Sequence, residues 1–368
     1  MSEPGGLLLP CETVRNILVI KLQHFGDVLL STPVLSNLKH YYPEARLDVL
    51  LYAGTAAMLA ASPLVDNIYK VDRSLKKRGL YAQIRGEWSL FKQIKATSYD
   101  LVVNLSDRWR SALCCRLLKP RHSIGFTHER RNRFLWGRCH TMLAKRSNEQ
   151  VFSQHEVLND LGILAPLAFP KLSTNVTMAY GQADVDYFNE LCRQHRLKDF
   201  IVMQPTARWA FKTWPPRGSS RVIDYLSARG ETVVLTSGRE ESDLAMVDEI
   251  LAGCGPGVKT VNLAGRLTIT QLAALIDRAK LFIGVDSVPM HMAAALGTPS
   301  VVLFGPTNLP QWHPWQAPHT LLWAGSYRDL PHFRQINTAT DERYLAAIPV
   351  EDVIEAVNAW LDKVRHMA

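Results

Sequence analysis

The chain has 368 residues, with 42 Lys and Arg against 34 Asp and Glu, 47% hydrophobic and 21% charged. That length suits two domains of roughly 100–200 residues rather than one core, and the apolar share excludes a disordered chain. No run approaches the ~20 uncharged apolar residues of a membrane span, and an N-terminus carrying Glu3 and Glu12, with no basic stretch ahead of an apolar one, does not read as a secretory signal.

Short apolar strands alternate with helix-length segments twice along the chain. In the first half, strands are predicted over 16–22, 46–52, 67–72, 100–106 and 123–126, and helices over 27–42, 80–97 and 107–118. A loop rich in Pro and small residues, around 165–177, precedes the second series. Its strands are predicted over 200–205, 231–236, 260–263, 280–285 and 300–304, with helices over 219–229, 240–252, 268–279 and 290–296. Continuous apolar strands separated by helices imply parallel sheets covered on both faces. Two such series predict an α/β protein of two doubly wound, Rossmann-like domains facing a cleft, 1–170 and 171–348. A last helix over 350–365 follows a strandless stretch rich in Pro and Trp, and segment 349–368 is expected to pack back on the N-terminal domain.

The charge is uneven. Arg116, Lys119, Arg121, Arg130, Arg131, Arg133, Arg138, Lys145 and Arg146 are opposed only by Glu129, so segment 116–146 carries the whole formal +8 and the remainder balances, 33 against 33. The plain reading is a solvated loop. The sharper one is a surface for an acidic partner, a phosphorylated substrate or an anionic membrane face. His122, His128 and His140 would add charge in acid. No nucleic-acid module accompanies the charge, so nucleic acid is not expected as a partner. The six cysteines (Cys11, Cys114, Cys115, Cys139, Cys192, Cys254) lack metal or redox spacing and are sparse for a disulfide scaffold, which suits a soluble protein in a reducing compartment.

Ligands in doubly wound sheets bind beyond the carboxyl ends of the strands, and three segments stand there. The first reads Lys21-Leu-Gln-His-Phe-Gly-Asp27. Asp27 is either a carboxylate at the cleft edge or simply a helix N-cap. The loop is not Gly-x-Gly-x-x-Gly, which counts against an NAD enzyme. The second runs from Gln204 to Pro215 and carries Thr206 and Lys212. Pro215 suits a helix's first turn, where a phosphate would meet an ammonium, a hydroxyl and free N–H groups. The alternative is a surface lysine beside a structural Trp214. The third, Gly284 to Pro299, puts Asp286 and Ser287 at a strand end and His291 on a small-residue helix with Ala293, Ala294 and Ala295. Open N–H groups there suit a diphosphate; otherwise Asp286 caps the helix and His291 is a core residue. The Asp184-Val-Asp186 triplet is explained by helix capping, Asn175-Val-Thr177 matters only in a secreted protein, and no nucleophile triad emerges.

In this order, Ile17 to Asp27 through Pro33, Lys212-Thr-Trp-Pro215, and Asp286-Ser287…His291 with Leu303-Phe-Gly-Pro-Thr307 resemble glycosyltransferase family 9, the bacterial lipopolysaccharide heptosyltransferases, from about Asn16 to the end. The resemblance implies a GT-B architecture, with an N-terminal acceptor domain and a C-terminal donor domain. It also implies ADP-L-glycero-β-D-manno-heptose as donor, inversion at the anomeric carbon, and neither metal nor cofactor. Asp27 then matches the base that takes the acceptor proton, and Lys212 the cation that steadies the departing diphosphate. Thr206 matches a phosphate contact, Glu240 a ribose-holding carboxylate, and Asp286, Ser287 and His291 the diphosphate and heptose side of the donor pocket. Lys21, His24, Arg130, Arg131 and Arg133 fall on the acceptor side, where a lipid-anchored, phosphorylated inner core in the cytoplasmic leaflet is the implied client. The implied location is peripheral, on the cytoplasmic face of the inner membrane. Two residues depart from the family pattern: Val288 stands where members commonly have Gly, and Ala207 replaces a second Thr. They leave open a relative using another nucleotide sugar. A non-catalytic scaffold of lipopolysaccharide assembly is disfavoured, because it needs neither Asp27 nor Lys212.

Overall fold

A computed structural model describes residues 8–128 and 133–367. The chain divides into two compact units, Met1–Ala179 and Tyr180–Ala368.

The first unit holds β1 (Asn16–Ile20), β2 (Arg46–Tyr52), β3 (Asn67–Val71), β4 (Leu101–Asn104), β5 (His122–Phe126) and β6 (Met142–Ala144), all parallel, in the order β3-β2-β1-β4-β5-β6. The central strands have no polar face, because helices cover both sides; Ile17, Leu18 and Ile20 of β1 are fully buried. The predicted helix over 27–42 is broken in two, Phe25–Leu30 and Thr32–Tyr41, at Ser31. Pro33 is the reason: it has no N–H to continue the ladder and belongs in a helix's first turn.

The second unit repeats the plan with β7 (Phe200–Gln204), β8 (Thr232–Leu235), β9 (Thr260–Asn262), β10 (Leu281–Val285), β11 (Ser300–Phe304) and β12 (His319–Trp323), in the order β12-β11-β10-β7-β8-β9. The Pro- and Trp-rich stretch is therefore not strandless, since β12 pairs along the whole of β11. The last helix, Val350–Met367, buries Val353, Val357 and Leu361 in this unit's core with Trp214, Leu226 and Leu345. Arg221 reaches Glu351 at 2.7 Å from the neighbouring helix Pro216–Ala228. The apolar face expected to return to the N-terminal domain is thus occupied here. Among the described residues, no helix is long and apolar enough to cross a membrane.

In each sheet the strand order reverses once, between β1 and β4 and between β7 and β10, where Ile20 pairs with Asn104 and Gln204 with Gly284. Loops leaving those carboxyl ends diverge and open a crevice.

Candidate active site

The first residue past β1 is Lys21, and it is 2% exposed. Its ammonium donates to both oxygens of Asp160, at 2.7 and 2.6 Å. Asp160 comes from the helix Glu156–Leu161, where Glu156, one turn earlier, is also buried. Lys21 is therefore not a surface cation offered to an acceptor, because its charge is already used inside the unit. Asp27 is the third residue of the helix Phe25–Leu30, so it is not the N-cap; His24 holds that position and donates its backbone N–H to Asp27 Oδ2 at 3.1 Å. The carboxyl keeps part of its surface exposed. Burial pushes it above the ordinary carboxylate range, Lys21 pulls it back and Glu156 adds to the rise. Burial likewise pushes Asp160 up to about 7, against the pull of Lys21 and Arg146. Burial disfavours the Lys21 ammonium, but Asp160, Glu156 and Asp27 outweigh it and hold the group above its usual range.

His24 is exposed and lines a cavity of about 420 Å³ with Gln23, Tyr52, Thr55, Asp72 and Arg73. Of the basic segment, Arg130 and Arg131 lie outside the described residues, and Arg133 opens the helix Arg133–Gly137. His140 is buried against Trp136, and burial lowers its pKa; burial and Arg121 lower that of His122.

In the second unit the two strands at the reversal bring their loops together. Lys212, on the short turn Ala210–Lys212, meets Asp286 Oδ2 at 2.7 Å, with 15% and 6% of the two side chains exposed. The ammonium also lies 5.3 Å from the Trp209 ring centroid. His291, in the first turns of the helix Val288–Leu296, is buried with no hydrogen-bond partner at Nδ1. Ser287 Oγ and Thr307 Oγ1 are buried without a partner as well. Burial holds the His291 imidazole down to about 4; Lys212 and His313 add to this and Asp286 opposes it. Thr206 is buried, accepts from Gln204 Nε2 at 2.9 Å and bonds the Asp243 carboxyl; Gln204 in turn accepts from Thr236 at 2.7 Å. A cavity of about 250 Å³ opens beside this chain of polar groups, lined by Thr206, Ala207, Arg208, Asp243, Ser287 and Val288 among others. Both departures from the family pattern, Ala207 and Val288, therefore face it. Glu240 caps the helix Glu241–Ala252 and is exposed, whereas Asp243, one turn on, lines the cavity and is raised by burial. Trp214 is structural, its indole bonded to the Ile348 carbonyl at 3.2 Å.

Asp160, Glu156, Arg73 and Asp243 were not legible as site residues. The i,i+4 spacing of Glu156 and Asp160 was the one available signal, since it puts two carboxylates on one helix face. Among the described residues, no group of His, Cys, Asp and Glu forms a metal site.

Comparison with known proteins identifies the family and the fold. Residues 87–341 match glycosyltransferase family 9 (heptosyltransferase). A lipopolysaccharide heptosyltransferase 3 of Escherichia coli is 41% identical over 341 residues, which is 92% of this chain and 97% of that one. A family 9 glycosyltransferase from Veillonella parvula superposes with a TM-score of 0.80 at 24% identity, over 95% of this chain and 97% of that one. The E. coli heptosyltransferase WaaC, solved with ADP-2-deoxy-2-fluoro heptose, gives 0.69 at 17% identity over 95% and 99%. Two doubly wound units of GT-B type, the paired strand-end loops and near full-length kinship together make the chain a member of glycosyltransferase family 9.

Proposed function

We propose that the chain is an inverting glycosyltransferase that moves L-glycero-D-manno-heptose from ADP-heptose to a heptose of the lipopolysaccharide inner core, of heptosyltransferase 3 type. The 41% identity along almost the whole of both chains carries this reading. The site supplies parts that suit it. Inversion is a single displacement: the acceptor oxygen bonds the anomeric carbon, the ADP oxygen leaves, and the acceptor proton passes to a base. Asp27, raised by burial yet held ionisable by Lys21, is that base. Lys212 exchanges Asp286 for the diphosphate and steadies its growing charge, so no metal and no cofactor is needed. Thr206 and Ser287, which line the cavity, contact the diphosphate, His291 serves the heptose as a neutral acceptor or donor, and Glu240, at the start of the helix that carries Asp243, holds the ribose. The acceptor sugar occupies the cavity of His24 and Arg73, with the phosphorylated inner core reaching Arg130, Arg131 and Arg133. The enzyme works in the cytoplasm as a peripheral protein of the inner membrane, drawn to its anionic face; nucleic acid is no partner.

A second donor is favoured by one observation: Val288 and Ala207 both line the cavity, where a β-branched side chain narrows close approach to a ligand. Transfer from ADP-heptose to heptose-deficient core lipopolysaccharide tests both readings. Wild-type transfer that falls about 10²–10⁴-fold in Asp27→Ala, with ADP binding retained, supports the proposal. Absence of ADP-heptose binding turns the assignment to another nucleotide sugar.

A further inference from the structure

The first unit carries a surface that the site touches only at its edge, through Arg73. Between Arg73 and Lys95 stand seven basic residues, Arg73, Lys76, Lys77, Arg78, Arg85, Lys92 and Lys95, against Glu87 alone. Glu87 is occupied by Arg110 at 3.2 Å and Gln83 at 2.9 Å. The basic turn Arg73–Arg78 leads into the helix Leu80–Lys95, which is amphipathic in an unusual sense, since its outward face is apolar. Leu80, Tyr81, Ile84 and Trp88 are 73, 78, 59 and 58% exposed. Beside them, Leu113 and Leu117 on the helix Trp109–Leu118 are 51 and 54% exposed. Ile84, Trp88, Leu113 and Leu117 border a groove of about 380 Å³ floored by Leu22, which stands on the loop leading to Asp27. The ammonium groups of Lys92 and Lys95 lie over the rings of Trp88 and Phe91, 5.6 and 5.9 Å from their centroids, so cationic ends stand against the aromatic part of this face.

We propose that the turn Arg73–Arg78, the outward face of the helix Leu80–Lys95, and Leu113 and Leu117 seat the chain on an anionic lipid bilayer. Exposed Leu, Ile, Tyr and Trp among lysines and arginines are the composition of helices that lie in a membrane interface, and each basic residue near an anionic leaflet adds attraction. A second copy of the chain is the poorer occupant, because a self-complementary contact would bring like charges together. The proposal rests on the membrane partnership advanced above, moves its main contact to this face, and places it next to the loop that leads to Asp27. A lipid-anchored acceptor would then reach the base from the surface it is held in.

The test is sedimentation of the full chain with vesicles of phosphatidylcholine alone or mixed with phosphatidylglycerol. Binding to the anionic vesicles is expected, weakened by salt, and reduced roughly tenfold or more in I84S/W88S and in K76E/K77E. Equal binding to both vesicle types, no binding, or unaltered binding of the variants overturns the proposal. So does a dimer in sedimentation velocity that I84S/W88S dissolves without any vesicle binding. Should the double variant misfold, brominated phosphatidylglycerol decides: it should quench wild-type tryptophan emission, and W88F should lose that quenched component; identical quenching in the two overturns the proposal. Transfer by the wild-type chain to an acyl-free core acceptor, measured separately, reports on the heptosyltransferase reading alone, so the failure of one is not the failure of the other.

Discussion

Each unit sets a lysine against an aspartate beside the reversal of its strand order, and water has opposite access to the two pairs. Lys21 and Asp160 are 2% and 1% exposed and make two contacts. Lys212 and Asp286 are 15% and 6% exposed and make one. A desolvated ammonium that gives two of its three N–H donors to one buried carboxylate is out of reach of a ligand in solvent; it fixes the loop 21–24 and sets the field at Asp27. Lys212, more open to water and bonded to its carboxylate once, can trade that contact for a phosphate at lower cost. On the function proposed above, the same residue type in the loop after the first strand of each unit is an internal strut in one unit and a ligand cation in the other. Burial alone makes the difference.

Removing each lysine breaks the comparison where it is sharpest. Lys21→Met leaves the Asp160 carboxyl buried without its partner, and orphaning one ion of a buried pair costs about 3–5 kcal/mol. Chemical denaturation of the variant should show that loss. The pH profile of kcat/KM should also shift its acid limb upward, because Asp27 loses the cation that lowers its pKa while Glu156 still raises it. If K21M is as stable as wild type, the strut reading is wrong. Replacing both partners, K21M/D160L, should recover much of the loss, since an apolar pair leaves no uncompensated charge.

Lys212→Met should do the reverse. Its carboxylate partner is also buried but makes one contact with the ammonium rather than two, and the ammonium is more open to water, so the loss of stability should be smaller than in K21M. Turnover, however, should fall about 10²–10³-fold, the usual effect of removing one fixed group from a developing charge. Steady-state rates at saturating donor, together with a melting curve, separate the two outcomes. A variant that lost stability but kept turnover would reverse the roles assigned to the two lysines.

What could be read from the sequence follows the same line between local and distant causes. The central strands were legible because runs such as Ile17-Leu-Val-Ile20 and Val301-Val-Leu-Phe304 are apolar without alternation, as strands buried on both faces must be. The edge strands β6 and β12 were not: three residues carry no pattern, and β12 is half exposed among Pro and Trp. Asp27, Lys212 and Asp286 stood out as candidates because each lies on a segment leaving a strand beside the reversal. Lys21 was misplaced because its partner is 139 positions away, a distance no local pattern spans. Asp243 was hidden by one helical turn, the more prominent Glu240 standing just before it. The charge of segment 73–95 vanished into the balance of 33 against 33 outside segment 116–146, although its own ratio is seven to one.

The smallest expected effect sets the two units against each other in pH. His291, buried beside Asp286, Lys212 and His313, is held down to about 4, whereas the unfolded chain binds that proton near the ordinary 6.5. Between those values the unfolded state carries more protons, so stability of the second unit is full above about 6.5 and drains away as pH falls toward 4. The shift amounts to about 3 kcal/mol in all. In the first unit Asp160 is raised to about 7 from 3.8 and Asp27 is raised as well, so there the folded state holds the extra protons and acid favours it. Hydrogen exchange resolved by peptide should therefore show protection in the second unit falling between pH 6.5 and 4, while that of the helices Phe25–Leu30 and Glu156–Leu161 holds or rises. His291→Gln should remove the fall and leave the first unit's behaviour untouched. If both units lose protection together and H291Q makes no difference, the imidazole is not held neutral by its burial, and the contrast between a charged interior in one unit and an uncharged buried base in the other fails.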